Sequence, residues 1–261
     1  MITKLQEKHK EELLKLVMKE KELNLFIIGD IENYGFNKEF LEFWGDFSQS
    51  GEITAVLMRY YEDFVIYATG EFDVKRFSEI VNSIEFRMLS GEKNVVKKFS
   101  NLVNVKDKQD THFAKLINGY NLYDGDAINL VMKTEIEDIN EVWDLQNKKI
   151  SEFTDLSPVE RMKKKYMDKT ARGYHIRNDK DQVVSSVETG GENSSSAMVL
   201  GVCTDPSYRG HGYAAAVTSK LCKELISEGK SPCLFYYNPK AGEIYKKLGF
   251  QDIGMWSMWS R

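Results

Sequence analysis

The segment Val199 to Val217, VLGVCTDPSYRGHGYAAAV, sets the tightest limit on how this chain can fold. An apolar, strand-like run stops at Thr204, Asp205-Pro206 turns the chain, and Arg209-Gly210-His211-Gly212-Tyr213-Ala214 opens a helix. Apolar residues at Ala214, Val217, Leu221, Cys222, Leu225 and Ile226 give that helix one buried face, and Gly229 ends it. Strand, glycine turn and helix in this order belong to an α/β fold. Gly210 and Gly212 let the main chain approach a ligand closely. The first N–H groups of a helix lack intrahelical partners and the helix dipole favours an anion beside them, so pyrophosphate is the natural guest.

Three readings of the glycines stay open from the residues alone. Gly210-x-Gly212-x-x-Ala215 is a weak match to a dinucleotide fingerprint, which needs an acidic residue closing the next strand; here that strand ends Tyr237-Asn238-Pro239. A phosphate loop of the Gly-Lys-Ser/Thr kind is absent. A glycine-rich helix start with no ligand is the third.

The balance of 42% hydrophobic and 29% charged residues over 261 positions is that of a globular chain of one large or two small domains. A net charge of −4 argues against a dedicated nucleic-acid binder. Cys203, Cys222 and Cys233 are an odd set with no close spacing, which fits reduced thiols in a cytoplasmic protein better than a disulfide framework or a metal site. No apolar run reaches the roughly 20 residues of a membrane span, and the charged N-terminus, MITKLQEKHKEE, shows no secretory signal.

Periodicity predicts helices over 5–19 and 23–33, a hairpin over 53–68 turning at Glu62-Asp63, a helix capped by Asp73, a strand over 85–89, a helix over 92–102 and a strand over 112–117. The polar stretch GYNLYDGD, 119–126, is the expected boundary between an N-terminal domain (1–125) and a C-terminal domain (126–261). The second half then reads as a strand over 127–132, a helix over 136–148, a helix opened by Ser157-Pro158, strands over 173–178, 182–189 and 197–204, the long helix, a strand over 233–238, a helix to Leu248 and a strand over 250–259. The halves share an order of elements, which fits either a duplicated unit or two unrelated α/β lobes.

With these residues in place, the C-terminal half, about 126–261, resembles the GNAT-type N-acetyltransferases. Their cofactor loop reads Arg/Gln-x-x-Gly-x-Gly/Ala after the fourth strand, where this chain has Arg209, Gly212 and Ala214. Their Asn after the fifth strand and Tyr before Leu-Gly-Phe correspond to Asn238, Ala241, Tyr245, Leu248, Gly249 and Phe250, in order and spacing. The resemblance implies two α/β lobes: a C-terminal mixed sheet flanked by helices, and an N-terminal lobe of similar element order that is a degenerate copy. In the N-terminal half the corresponding place reads YATGEFDVKRF, with the single Gly70, and would not build the same pyrophosphate cradle.

The resemblance further implies acetyl-CoA as acyl donor and a small-molecule or peptide amine as acceptor. The pantetheine arm would pair with the backbone around Gly201, Val202 and Cys203, and the pyrophosphate would meet the N–H groups of Gly210, His211, Gly212, Tyr213 and Ala214, with Arg209 in the same loop. A backbone N–H near Val202 would polarise the thioester carbonyl, and Tyr245 would protonate the departing thiolate. Asn238 is either a turn residue or a pantetheine contact. Glu188 and Glu192 are the carboxylates near the acceptor side, each with a surface-charge reading beside it. Cys203 reads as a spectator, since no His or Asp is placed to activate it. A CoA-holding sensor without turnover and a longer-chain N-acyltransferase are the rival functions.

Overall fold

The computed structural model describes residues 1–149 and 158–261; Ser157, expected as a helix cap, lies outside the described residues. The chain forms two compact units: Met1–Phe113 with Phe235–Tyr237 and Asp252–Arg261, and Ala114–Leu234 with Asn238–Gln251. Among the described residues no helix is long and apolar enough to cross a membrane.

The first unit begins with β1 (Ile2–Lys4), α1 (Lys10–Val17) and α2 (Leu25–Tyr34), followed by β2 (Leu41–Phe47), β3 (Ile53–Tyr60) and β4 (Asp63–Ala68). Then come α3 (Val74–Asn82), β5 (Met88–Glu92), α4 (Lys93–Lys97) and β6 (Asp107–Leu116). β12 (Phe250–Ser260), from the far end of the chain, pairs antiparallel with β5 from Trp256↔Glu92 to Ser260↔Met88. Strand order in this unit is β1-β2-β3-β4-β5-β12-β6. α3 forms because Asp73 caps it, its Oδ1 accepting the Arg76 N–H at 2.9 Å, and because Phe77 and Val81 fall on one face. That face seals a core of Phe64, Phe77, Phe86, Leu89, Phe99 and Trp259. Each such fully buried ring contributes roughly 1.5–3 kcal/mol of transfer free energy.

β1 and β2 are additional to the expected elements. The strand expected at 85–89 lies three residues later, because its parallel register with β4 sets Met88 opposite Asp63. The helix expected over 92–102 is only α4, capped by Glu92, whose Oε2 accepts the Asn94 and Val95 N–H groups.

In the second unit, the strand expected at 127–132 is instead a 3-10 turn over Asp126–Leu130, followed by the two-residue β7 (Met132–Lys133). The turn buries Ala127 and packs on α7 (Tyr213–Ser227), so its apolar residues serve a helix contact rather than a sheet. α5 (Ile139–Asp144) runs on into a π-helical turn, Leu145–Lys149. α6 (Val159–Met167), β8 (Gly173–Arg177), β9 (Val183–Gly190) and β10 (Ser196–Thr204) follow. After α7 come β11 (Ser231–Tyr236) and α8 (Pro239–Lys247). Strand order is β7-β8-β9-β10-β11. β7 to β10 are antiparallel neighbours, and β11 joins β10 in parallel. Ile139, Val142, Leu145, Met162, Val183 and Cys203 make the core under α5 and α6.

One charged network ties this unit together. Arg172, 18% exposed at its side chain, binds Glu192 at 2.7 Å and also Glu224 and Glu228 on the end of α7. Lys230 adds pairs to Glu192 at 2.7 Å and Glu228 at 3.0 Å. The Arg172 hydrogen bond, ahead of the Lys230 contact, holds the Glu228 carboxyl at about 2 rather than the ordinary 4.5. A depressed folded value means the contribution is complete above the unfolded value and is lost as pH falls through the folded one, here between about 4.5 and about 2. Arg172→Met is expected to cost roughly 2 kcal/mol, the loss of a half-buried pair discounted for solvent screening. It should also flatten the acid limb of stability in chemical melts at pH 7, 4 and 2.5. An unchanged acid limb would show that the network contributes nothing.

Candidate active site

β10 and β11 start as a parallel pair and then part. Their register runs only from Ser196↔Ser231 to Met198↔Cys233, although β10 goes on to Thr204 and β11 to Tyr236. Beyond Met198, the β10 register with β11 ends. Against β9 it passes from Leu200↔Glu188 to Cys203↔Ser186, so Gly201 and Val202 form a bulge without register partners. Gly201 sits at φ +61, a left-handed conformation that glycine adopts without strain. In the first unit, the equivalent parallel pair, β4 and β5, is in register over four residues, from Asp63↔Met88 to Ile66↔Gly91, and β4 ends two residues later at Ala68. A Cβ on Gly91 would lie 2.6 Å from the Ile66 carbonyl oxygen.

The parted end of β10 leads into the 205–212 loop, which is anchored at several points. Asp205 N–H donates to Val184 O at 2.8 Å, and its Oδ1 accepts from Ser207 N–H at 3.0 Å. Asn178 Nδ2 donates to Tyr208 Oη at 2.8 Å, and Arg209 Nε donates to Thr204 O at 3.2 Å. His211 Nδ1 lies 3.1 Å from the Tyr208 and Arg209 carbonyls, to which it donates in the Nδ1-protonated tautomer. Gly210 (φ +87) and Gly212 (φ +78) are both left-handed. Gly212 is the N-cap of α7 and supplies no side-chain acceptor. The N–H groups of the first turn, Tyr213 and Ala214 among them, therefore face a place suited to an anion. Among the described residues, a Cβ on Gly210 would meet nothing within 4 Å, so the approach there is open. Gly212 is closer: its Cβ would lie 3.2 Å from Tyr123 Oη.

The first unit handles the matching helix start in the opposite way. Two carboxylates occupy it: Asp73 caps Arg76 N–H, and Asp46 Oδ2 accepts the Asp73 N–H at 2.9 Å.

Tyr245 lies on α8 with 8% of its surface exposed, its ring edge-on to Phe250 at 6.0 Å. Burial, with the nearby Cys203 and Cys222 thiols, raises its hydroxyl well above the ordinary 10, so it is protonated at neutral pH. Asn238 caps α8, its Oδ1 accepting Lys240 N–H at 2.9 Å, which leaves the Nδ2 donors as its groups for a ligand. Cys203 is 6% exposed and burial pushes its thiol up to about 12, unsuited to nucleophilic chemistry. All three cysteines are buried thiols outside any disulfide. The Cys203 carbonyl accepts from Ser185 Oγ at 2.8 Å, and the Gly201 carbonyl from Ser186 Oγ at 3.3 Å. A pantetheine arm would therefore share these acceptors or use the Val202 edge between them.

The two carboxylates separate. Glu192 is held by Arg172, Lys230 and the Thr189 hydroxyl, which assigns it to the charged network. Glu188 stands in register with Leu200 at the start of the bulge, and its charge raises the Tyr166 hydroxyl and the Cys203 thiol. His175 is fully buried with Nδ1 3.1 Å from Thr134 Oγ1, and burial lowers its pKa. Three residues absent from sequence reasoning also reach this region: Gln146, Ser186 and Tyr123. Gln146 sits in the polar stretch 144–149 and Ser186 in the strand run 182–189, neither with a motif around it, and Tyr123 belongs to the stretch read as a boundary.

A family model described as GNAT acetyltransferase matches residues 22–259. The fold recurs in solved structures of low identity. A Drosophila protein is 10% identical with a TM-score of 0.73, over 100% of this chain and 98% of that one. A GCN5-related N-acetyltransferase from Sphaerobacter thermophilus is 10% identical with a TM-score of 0.67, over 100% and 95%. A tandem GNAT protein from the clavulanic acid biosynthesis pathway is 12% identical with a TM-score of 0.61, over 100% and 98%. A glycine cradle at an uncapped helix, a parted parallel pair and a family match across both units lead to one conclusion: this chain belongs to the GNAT acetyltransferase family.

Proposed function

We propose that the second unit takes acetyl-CoA and passes the acetyl group directly to a primary amine on a small molecule or peptide. The observation that carries this reading is the parting of β10 from β11 after Met198↔Cys233, where β10 runs into the uncapped start of α7. An extended pantetheine arm fits the open β10 edge at Gly201, Val202 and Cys203. The pyrophosphate fits the 209–214 loop, with Asn238 Nδ2 alongside the arm. Acyl-CoA supplies the activated thioester. The Val202 N–H polarises its carbonyl, the amine attacks, the C–S bond breaks and the thiolate takes its proton from Tyr245. The amine gives up its own proton to a carboxylate or water, and Glu188 is the carboxylate that the register brings to the bulge.

Burial raises Tyr245, but it raises a thiol in the same place too, as Cys203 shows. The same burial would disfavour a thiolate left beside Tyr245, which favours its taking up a proton. The N-terminal half, 1–125, is proposed to support the fold or shape the acceptor side, without a cofactor of its own. The buried thiols fit a reducing, cytoplasmic setting. CoA release from acetyl-CoA, followed against a panel of primary amines, tests the proposal. Amine-dependent turnover supports it, whereas CoA binding with no turnover on any amine would favour a sensor.

A further inference from the structure

Gln146 is buried to 6% exposure in the π-helical turn that ends α5. Its side chain lies against the β10 bulge: a Cβ on Gly201 would clash with its Nε2 and come within 3.0 Å of its Cδ. Among the described residues, the carboxamide makes one long hydrogen bond, Nε2 to Ser186 Oγ at 3.4 Å. Ser186 Oγ in turn lies 3.3 Å from both Gly201 O and Cys203 Sγ. π turns are irregularities that cluster at functional sites. The chain thus keeps a buried polar side chain, on an irregular turn, against the β10 bulge at Gly201 and Val202.

We propose that Gln146 is the specificity-determining residue that limits the length of the acyl group; this rests on the reading of the bulge as the thioester site. With the thioester carbonyl held at Val202, the carboxamide fills the space beside Gly201 into which carbons beyond acetyl would extend. An acetyl group stops short of it. A butyryl group would have to displace it, breaking its bond to Ser186. A rigid wall of this kind discriminates by about tenfold or more per excess methylene. The barrier is steric, so shortening the side chain should relax it in steps. Gln146→Asn withdraws the carboxamide by one methylene and Gln146→Ala removes it.

Calorimetry and turnover with CoA, acetyl-CoA, propionyl-CoA and butyryl-CoA on the intact chain and both variants test the proposal. Wild type should bind CoA and acetyl-CoA with similar affinity and reject butyryl-CoA by at least about tenfold. Gln146→Asn should admit propionyl-CoA, and Gln146→Ala should bring butyryl-CoA within about threefold of acetyl-CoA. Affinity for CoA itself, which carries no acyl group, should be unchanged in both. An acetyl-to-propionyl ratio in folded Gln146→Asn, or an acetyl-to-butyryl ratio in folded Gln146→Ala, identical to that of wild type would overturn the proposal. Butyryl-CoA accepted as well as acetyl-CoA by wild type would overturn it too. Failure of wild type to bind CoA at all would instead refute the underlying acyl-CoA reading. If Gln146→Ala does not fold, the Gln146→Asn step decides the matter alone.

Discussion

Tyr245→Phe should lower kcat for acyl transfer by ~10²–10⁴-fold while leaving CoA affinity near that of wild type. The change removes one oxygen and keeps the ring, so the edge-on contact with Phe250 at 6.0 Å survives. The hydroxyl acts only as the C–S bond breaks, so the loss falls on kcat rather than KM. It corresponds to about 3–5 kcal/mol of barrier. The pH profile carries a second readout. Because burial lifts the Tyr245 hydroxyl above 10, its acid form persists throughout the accessible alkaline range. Wild-type kcat should therefore show no fall from this group up to about pH 10. A kcat for Tyr245→Phe within threefold of wild type would return the residue to a core-packing role. A large loss of CoA affinity with kcat preserved would make it a binding residue.

Gly212→Val should weaken CoA binding by at least about 100-fold, some 2.7 kcal/mol. Two effects act together. The φ of +78 is hostile to a β-branched residue, and the new Cβ would press on Tyr123, whose hydroxyl lies 3.2 Å away. Both distort the helix start even without ligand, so this variant alone does not isolate the pyrophosphate. Gly210 does. Among the described residues its Cβ position is open for 4 Å around, and Asn and Asp are the side chains that best tolerate its left-handed backbone. Gly210→Asn and Gly210→Asp have nearly the same shape and differ by one charge. On this account, Asp should weaken CoA at least about tenfold more than Asn, from like-charge repulsion near the pyrophosphate. The gap should shrink at high salt. Equal affinities for the two variants would place the pyrophosphate elsewhere.

The elements that hold the site were legible because local chemistry dictates them. The glycine opening of α7, the turn at Asp205-Pro206 and the strand expected over 197–204, found at Ser196–Thr204, need only neighbouring residues to explain them. What escaped depends on distant partners. β2 carries Glu42 and Asp46 along a strand interrupted by Gly45. Those charges are met by Lys4 and Arg59, and by the N-terminal amine and the Asp73 N–H. The polar start of β6, Asp107 to Asp110, reads as loop, yet Ser257, 147 residues away, donates to Asp110 there. The bulge at Gly201 and Val202 follows from the pairing with β9, and Gln146 from a helix that packs on it; neither leaves a mark in a linear pattern. The motif around Tyr245 located the residue, but its burial beside Cys203 and Cys222 needed three elements in place.

The difference between the two units gives the account its most direct test. The first keeps β4 and β5 paired through Ile66↔Gly91 and fills the start of α3 with the carboxylates of Asp73 and Asp46. The second parts β10 from β11 and leaves α7 uncapped. Titration of CoA into the intact chain by calorimetry reads both at once. The account predicts a single saturable site per chain, lost in Gly212→Val and weakened more by Gly210→Asp than by Gly210→Asn. Two sites per chain, or no binding at millimolar CoA to a folded protein, would contradict it.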